Sequence, residues 1–350
     1  MKKNQENNGV LDFAPKFNLK TLIFVFLVAI GIYFIVPKLI DVEQALHLIF
    51  KVNKIYLSLA LVAEIGSYIA AAWILGIILS RLGYKIKFID RFRIGSISAF
   101  AIHFFPIGSA GEGAVEYYFL RKKNVELGSI LIMFILRIIF TYCAFLLIFL
   151  TGLILVPTYP HLSFSPKLAS LILFTAILVG VIYMVYLYRH KDKFFKVWKK
   201  FTRIASFFLG KSKKYFFGET KSEEIFEDLY KGIGMFGKKK RNSVMAIFAT
   251  LLYWLGDVVC LYFVFLSFGF KIGWGVLIFG YGVSTLAGLV STIPGGLGVV
   301  ESSMGLIYSG LGIPTSLVLM SILVFRLFSF WIWIPIGLIS YLTLRRDLRS

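Results

Sequence analysis

The stretch Thr292-Ile293-Pro294-Gly295-Gly296-Leu297-Gly298-Val299-Val300-Glu301 sets a Pro/Gly break and a carboxylate inside an otherwise apolar tract. Proline removes a backbone donor and three nearby glycines favour a break. A helix arriving from Trp274 is therefore expected to stop here, and a new one to begin near Val299. Nothing in water explains such a placement. At membrane depth, broken backbone is tolerated only where protein buries it or where it lines a cavity. Glu301, in the first turn of the new helix, faces that helix's positive end, a place that can equally hold a substrate group.

The composition agrees with a membrane setting. The 350 residues are 58% hydrophobic and 16% charged, with mean hydropathy +0.82, which is too apolar for a soluble domain and fits a polytopic all-α membrane protein. A net charge of +20 would suggest nucleic acid in a soluble chain. Here the lysines and arginines cluster between the apolar tracts, as cytoplasmic loops require, so no nucleic-acid partner is expected. Cys143 and Cys260 both lie in apolar tracts, and no disulfide framework is indicated. His47, His103, His161 and His190 are scattered without ligand spacing. No phosphate-cradling loop, complete dinucleotide fingerprint or nucleophile elbow is present, so no metal, cofactor or catalytic residue is assigned, and the sequence points away from an enzyme.

Read in order, a polar leader occupies 1–20 and a first membrane half 21–188. That half contains spans at 21–40, 57–79, 127–156 and 168–188, with the first span expected to be retained rather than cleaved. Between them, 94–120 is interrupted at 106–112 by Pro106, Gly108 and Gly111, and basic clusters lie on both sides. At about 1.5 Å per residue neither arm crosses ~30 Å of hydrocarbon. The simplest solution is a hairpin entering from the cytoplasm, and the alternative is one kinked span. A basic loop follows at 189–243. Within it Phe194, Trp198, Phe201, Ile204, Ala205 and Phe208 fall opposite Lys193, Lys196, Lys199, Lys200 and Arg203. This pattern fits either an amphipathic helix on anionic lipid headgroups or a solvated positive loop. The second half, 244–344, contains spans at 244–268 and 315–344 around the tract 274–313, broken at 294–301. A cytoplasmic tail occupies 345–350. Basic residues place both termini in the cytoplasm of a cell-membrane protein. The expected architecture has about six full spans plus two re-entrant hairpins, or up to eight spans.

The two broken regions correspond. Glu112 precedes Arg137 by 25 residues and Glu301 precedes Arg326 by 25, and each unit follows a span carrying one acid, Glu64 or Asp257. The first hairpin opens inward and the second outward, which is the plan of an inverted repeat with broken helices meeting near the midplane. On insertion scales each of Glu64, Glu112, Arg137, Asp257, Glu301 and Arg326 costs roughly 2.5–3.5 kcal/mol at the bilayer centre. Their sum exceeds the ~5–15 kcal/mol net stability of a typical protein, so they cannot all face lipid unpaired. They are either structural ion pairs or a hydrophilic path for a headgroup.

The run Pro294 to Glu301, followed by Gly312-Ile313 and Phe325-Arg326-Leu327, resembles the second signature of the lysylphosphatidylglycerol synthase transmembrane-region family. Pro106 to Glu112 with Arg137 resembles the first. There Ile107-Gly108-Ser109-Ala110 stands where the family usually has a basic residue before Gly-Glu. The resemblance covers about 21–344 and implies a flippase-like domain associated with moving aminoacylated phospholipid between leaflets. In some members that domain is joined to an aminoacyl-transferase or glycosyltransferase, for which this chain leaves no length. The resemblance thus implies membrane lipids, charged or polyprenyl-linked, as partners. Competing readings are a membrane subunit of a separate lipid-modifying enzyme, and an enzyme on lipid phosphates using Glu112 and Glu301 as acid and base.

Overall fold

The computed structural model describes residues 52–104, 109–156, 164–209, 219–238, 240–291 and 293–347. The leader, the expected span at 21–40, Pro106, Gly108 and residues 348–350 lie outside them. Among the described residues every element is helical: α1 Lys54–Arg81, α2 Phe88–Phe104, α3 Ser109–Lys122, α4 Leu127–Leu155, α5 Phe164–Arg189, α6 Lys191–Leu209, α7 Glu219–Lys238, α8 Lys240–Ser267, α9 Trp274–Val290, a 3₁₀ turn Pro294–Gly296, α10 Val299–Gly310, α11 Thr315–Arg326, a π-helical segment Leu327–Trp331, and α12 Trp333–Asp347.

Among the described residues four stretches are long and apolar enough to cross a membrane: Lys54–Arg81, Leu127–Leu155, Arg241–Ser267 and Thr315–Asp347. The last is one run of helix, with the π segment joining α11 to α12. By contrast, α2, α3, α9 and α10 have 17, 14, 17 and 12 residues. At 1.5 Å per residue these arms reach about 18–26 Å, short of the ~30 Å hydrocarbon core. Large apolar side chains such as Ile55, Val62, Ile154, Ile182 and Leu306 stand exposed on outward faces, as they do where lipid is the solvent.

One end of the bundle is basic and tied by polar contacts. Lys123, just after α3, bonds Asp90 at the start of α2 at 2.7 Å, so α2 and α3 form a hairpin whose open end is at this face. Arg93 reaches Asp347 at 2.6 Å. Arg81, ending α1, donates to Asn242 of α8. The pair α6 and α7 lies at the same end. Phe194 and Trp198 of the amphipathic stripe, together with the adjacent Phe195, surround Phe226 of α7, the Trp198 indole donates to the Ser222 carbonyl at 3.0 Å, and Phe201 stays exposed. In turn α7 docks on α4, with Gly232 against Ile132. At the opposite end the Asn53 N–H, before α1, donates to the Ser267 carbonyl at 2.8 Å, and Gly275 at the start of α9 packs on the Leu155 carbonyl. The Tyr308 hydroxyl, near the end of α10, donates to the Leu277 carbonyl at 2.8 Å. The open end of the α9–α10 hairpin is therefore at this second face.

The apolar core is split accordingly into two clusters. One gathers the α2–α3 hairpin around Ile74 to Leu79 of α1 and Ile130 to Phe140 of α4. The other gathers α9–α10 around Ala144 to Val156 of α4 and Trp254 to Phe265 of α8. α1 and α4 each pass from one cluster to the other, and each carries a charged residue near the changeover. On α1, Glu64 follows Ala60 of the second cluster and precedes Ile74 of the first; on α4, Arg137 lies near the step from Phe140 to Ala144.

Candidate functional site: a polar layer between two hairpin tips

The first charged group is built by α3 against α4. Glu112 and Glu116 stand one helical turn apart on α3, so they share a face. Arg137 of α4 answers both, with Nη2 2.6 Å from Glu112 Oε1 and Nη1 donating to Glu116 Oε1. Ser98 of α2 adds a hydroxyl donor to the same Glu116 oxygen at 3.2 Å. The guanidinium sits 5.4 Å over the Phe134 ring. Glu116 is sealed at 0% exposure, whereas Glu112 and Arg137 retain 19% and 20%, so this ion pair remains open to a small approaching group.

The second group forms at the quoted break. Gly295, Gly296 and Gly298 have φ of 59°, 64° and 81°, a region that side-chain-bearing residues rarely adopt, and this is why the turn needs three glycines. The turn delivers Glu301 as the third residue of α10. There one carboxylate oxygen accepts the Gly298 N–H at 2.7 Å, capping the helix from within. The other oxygen accepts Nε of Arg326 at 2.5 Å, and Nη2 of Arg326 donates to the Gly295 carbonyl at 3.0 Å. Arg326 thus fastens both the carboxylate and the break. The π segment that follows swings Phe330 beneath the guanidinium, 5.2 Å from its centre.

The hairpin tips meet. His103, in the last turn of α2, stacks on Phe330 with ring centroids 4.0 Å apart, and a Cβ on Gly295 would fall 3.2 Å from His103 Nδ1. Both ring nitrogens of His103 are enclosed and have no hydrogen-bond partner among the described residues. This histidine, scattered in the sequence, sits where the first broken region abuts the second.

A third group crosses the interface of α1 and α8. The Asp257 carboxyl accepts the Ser67 hydroxyl at 2.9 Å and the Tyr281 hydroxyl at 2.7 Å. Ser67 also lies 2.9 Å from the Tyr253 carbonyl, and Gly256 lets the two helices close, since a Cβ there would fall 2.7 Å from Ser67 Cβ. Glu64, one turn from Ser67 and only 1% exposed, meets the Cys260 thiol. Tyr253 joins this group to the first, lying within electrostatic reach of Glu112, Arg137, Glu64 and Asp257, and Arg326 is within reach of Asp257.

Glu64, Glu112, Arg137, Asp257, Glu301 and Arg326 therefore share one polar layer, and both acid–arginine pairs 25 residues apart are closed as ion pairs. Gly111 lies in the first turn of α3, and Pro294 opens the 3₁₀ turn. Sequence reading missed Glu116, although Glu-x-x-x-Glu at 112–116 places two acids on one helical face. It also missed His103, Ser67, Tyr253 and Tyr281, ordinary residues whose role depends on helix neighbours no local pattern reveals.

A helical chain with four crossing-length apolar segments, apolar outward faces and buried ion pairs at its centre is a multi-pass membrane protein. Residues 21–337 match the lysylphosphatidylglycerol synthase TM region, and the chain belongs to that family. It is also similar to a UPF0104 membrane protein of Methanocaldococcus jannaschii, with 25% identity over 255 residues, 71% of each chain.

Proposed function

We propose that the protein is a flippase-like lipid translocase of the cell membrane, carrying a charged phospholipid or polyprenyl-linked headgroup through the polar layer. The observation that carries this reading is the meeting of His103 with Gly295 and Phe330, flanked by the partly open pairs Glu112–Arg137 and Glu301–Arg326. A headgroup crossing hydrocarbon loses its hydration, and only polar groups along the route can replace it. Here the carboxylates offer partners to cationic headgroup atoms, and the arginines offer partners to phosphate.

On this reading the two halves are an inverted repeat, with α1–α4 answered by α8–α12. Contacts of matching kind support it: α1 packs on α8, the α2–α3 hairpin on α12, and the α9–α10 hairpin on α4. Small residues mark both of the latter seams, Gly337 against the Ser96 carbonyl and Gly152 against Ile278 and the Phe279 amide. The basic face is assigned to the cytoplasm by the positive-inside rule, with both termini there and the α6–α7 pair next to anionic headgroups.

The test is leaflet-resolved transport. The purified protein, reconstituted alone into phosphatidylglycerol vesicles, is expected to exchange a fluorescent phospholipid between leaflets faster than protein-free vesicles do. Equal rates with and without protein would refute the proposal.

A further inference from the structure

Arg91, on α2, is a half-buried arginine of the transmembrane bundle. Arg81, Arg93, Arg121, Arg137 and Arg326 each meet a protein oxygen, through Asn242, Asp347, the Val125 carbonyl, the two acids of α3, and Glu301 with Gly295. Among the described residues Arg91 has neither an ion pair nor a hydrogen bond, and its Nε is enclosed. Its neighbours in sequence are already engaged, Asp90 by Lys123 and Arg93 by Asp347.

The position of this cation is built by packing. From α2 the side chain reaches across to α1 and lies on the bare backbone of Gly76, where a Cβ would coincide with Nη1. Gly76 is five residues inside the basic end of α1, so the guanidinium sits about 7–8 Å along the helix from its end. Phe88 lies beneath the charge at 5.5 Å and is itself exposed, as are Ile89 beside it and Ile69 and Trp73 on α1. One turn deeper on the same face of α2, nothing lies within 4 Å of where Gly95 would carry a Cβ. Among the described residues, the seam between α1 and α2 therefore presents an unpaired cation at its mouth, an apolar flank, and open space below.

We propose that this seam is a phospholipid site in which the Arg91 guanidinium holds the headgroup phosphate and the apolar flank takes an acyl chain. The planar fork suits a phosphate bidentately, and a basic pocket between transmembrane helices is the kind of place anionic headgroups occupy. A free phosphate would satisfy the cation but leave the apolar flank bare. The site does not depend on the translocation reading, because binding is measured without transport.

The test is binding to the full chain in detergent, followed by thermal unfolding during titration with phosphatidylglycerol, with diacylglycerol of the same chains, and with inorganic phosphate. Phosphatidylglycerol is expected to raise the melting temperature, and the other two are not. In Arg91→Gln the apparent affinity for phosphatidylglycerol is expected to fall about tenfold or more, as loss of a charge-assisted bond implies. Gly76→Ala, which displaces the guanidinium while keeping its charge, is expected to weaken binding too, and Lys271→Gln, exposed at the opposite face just before α9, is expected to leave it unchanged. Without lipid, Arg91→Gln is expected to melt no lower than the wild type, since it removes a cation that has no partner. An unchanged phosphatidylglycerol affinity in Arg91→Gln overturns the site. An equal response to diacylglycerol or to inorganic phosphate overturns the assignment of a phospholipid.

Discussion

Arg137→Met is the most instructive single change in the polar layer. The substitution keeps much of the side-chain volume but removes, among the described residues, the only cation touching Glu112 and Glu116. Glu112 keeps 19% exposure and can recover some hydration, but Glu116 has none and would be left with the Ser98 hydroxyl as its sole hydrogen-bond partner. Breaking a buried pair by removing one partner costs about 3–5 kcal/mol. The loss at Arg137 should sit at the upper end, because two acids are stranded and one is sealed. Arg326→Met should cost less, since Glu301 retains the Gly298 N–H. The assay is denaturant unfolding in detergent as a double-mutant cycle with Glu116→Gln. Glutamine at 116 removes the stranded charge, so the double variant should recover at least about 1.5 kcal/mol relative to the sum of the singles. Additivity within about 0.5 kcal/mol would refute the pairing.

Four further outcomes can be checked. Gly295→Ala should destabilise by about 2 kcal/mol or more, since φ of 59° is strained for alanine and the new Cβ meets Phe330. Gly180→Ala, with open space around it inside α5, should be neutral or stabilising by up to about 1 kcal/mol in the same melt. Tyr281→Phe removes one of the two hydroxyl donors to Asp257 and should cost about 1–2 kcal/mol, while in an Asp257→Asn background the loss should shrink. A single cysteine at position 350, in a chain lacking Cys143 and Cys260, should resist an impermeant thiol reagent added outside intact cells. Its labelling would reverse the assigned orientation.

Much of this architecture could be read from composition and punctuation. The start of α10 at Val299 follows from the Pro/Gly run, and the long helices at 54–81, 127–155, 240–267 and 315–347 follow from uninterrupted apolar length. The partners of Glu112 and Glu301 were legible because the same spacing of 25 residues separates each acid from an arginine inside an apolar tract. The α6–α7 pair shows the limit. A helical stripe of aromatic residues marks an amphipathic helix, but periodicity cannot say whether lipid or another helix covers it, and Trp198 and Phe194 turn onto Phe226. Glu116 was hidden for a similar reason. It reads as one more acid near a basic cluster until α4 brings Arg137 across. The π segment after Arg326 carries no sequence signal of its own, and its effect, setting Phe330 against His103 and Gly295, belongs to tertiary packing.

The central claim is that the charged layer is a route and not only a brace. The direct measurement is the leaflet-exchange rate of a fluorescent phospholipid in vesicles holding wild type, Glu112→Gln or Glu301→Gln, each checked for folding and insertion. Glutamine keeps the volume and hydrogen bonding of both side chains and removes the charge that would meet a headgroup. The account predicts that wild type accelerates exchange and that each variant falls at least about tenfold, the effect of losing roughly 1.4 kcal/mol of stabilisation at the crossing point. An active wild type matched in rate by both folded variants would contradict it, leaving Glu112 and Glu301 as structural partners of Arg137 and Arg326.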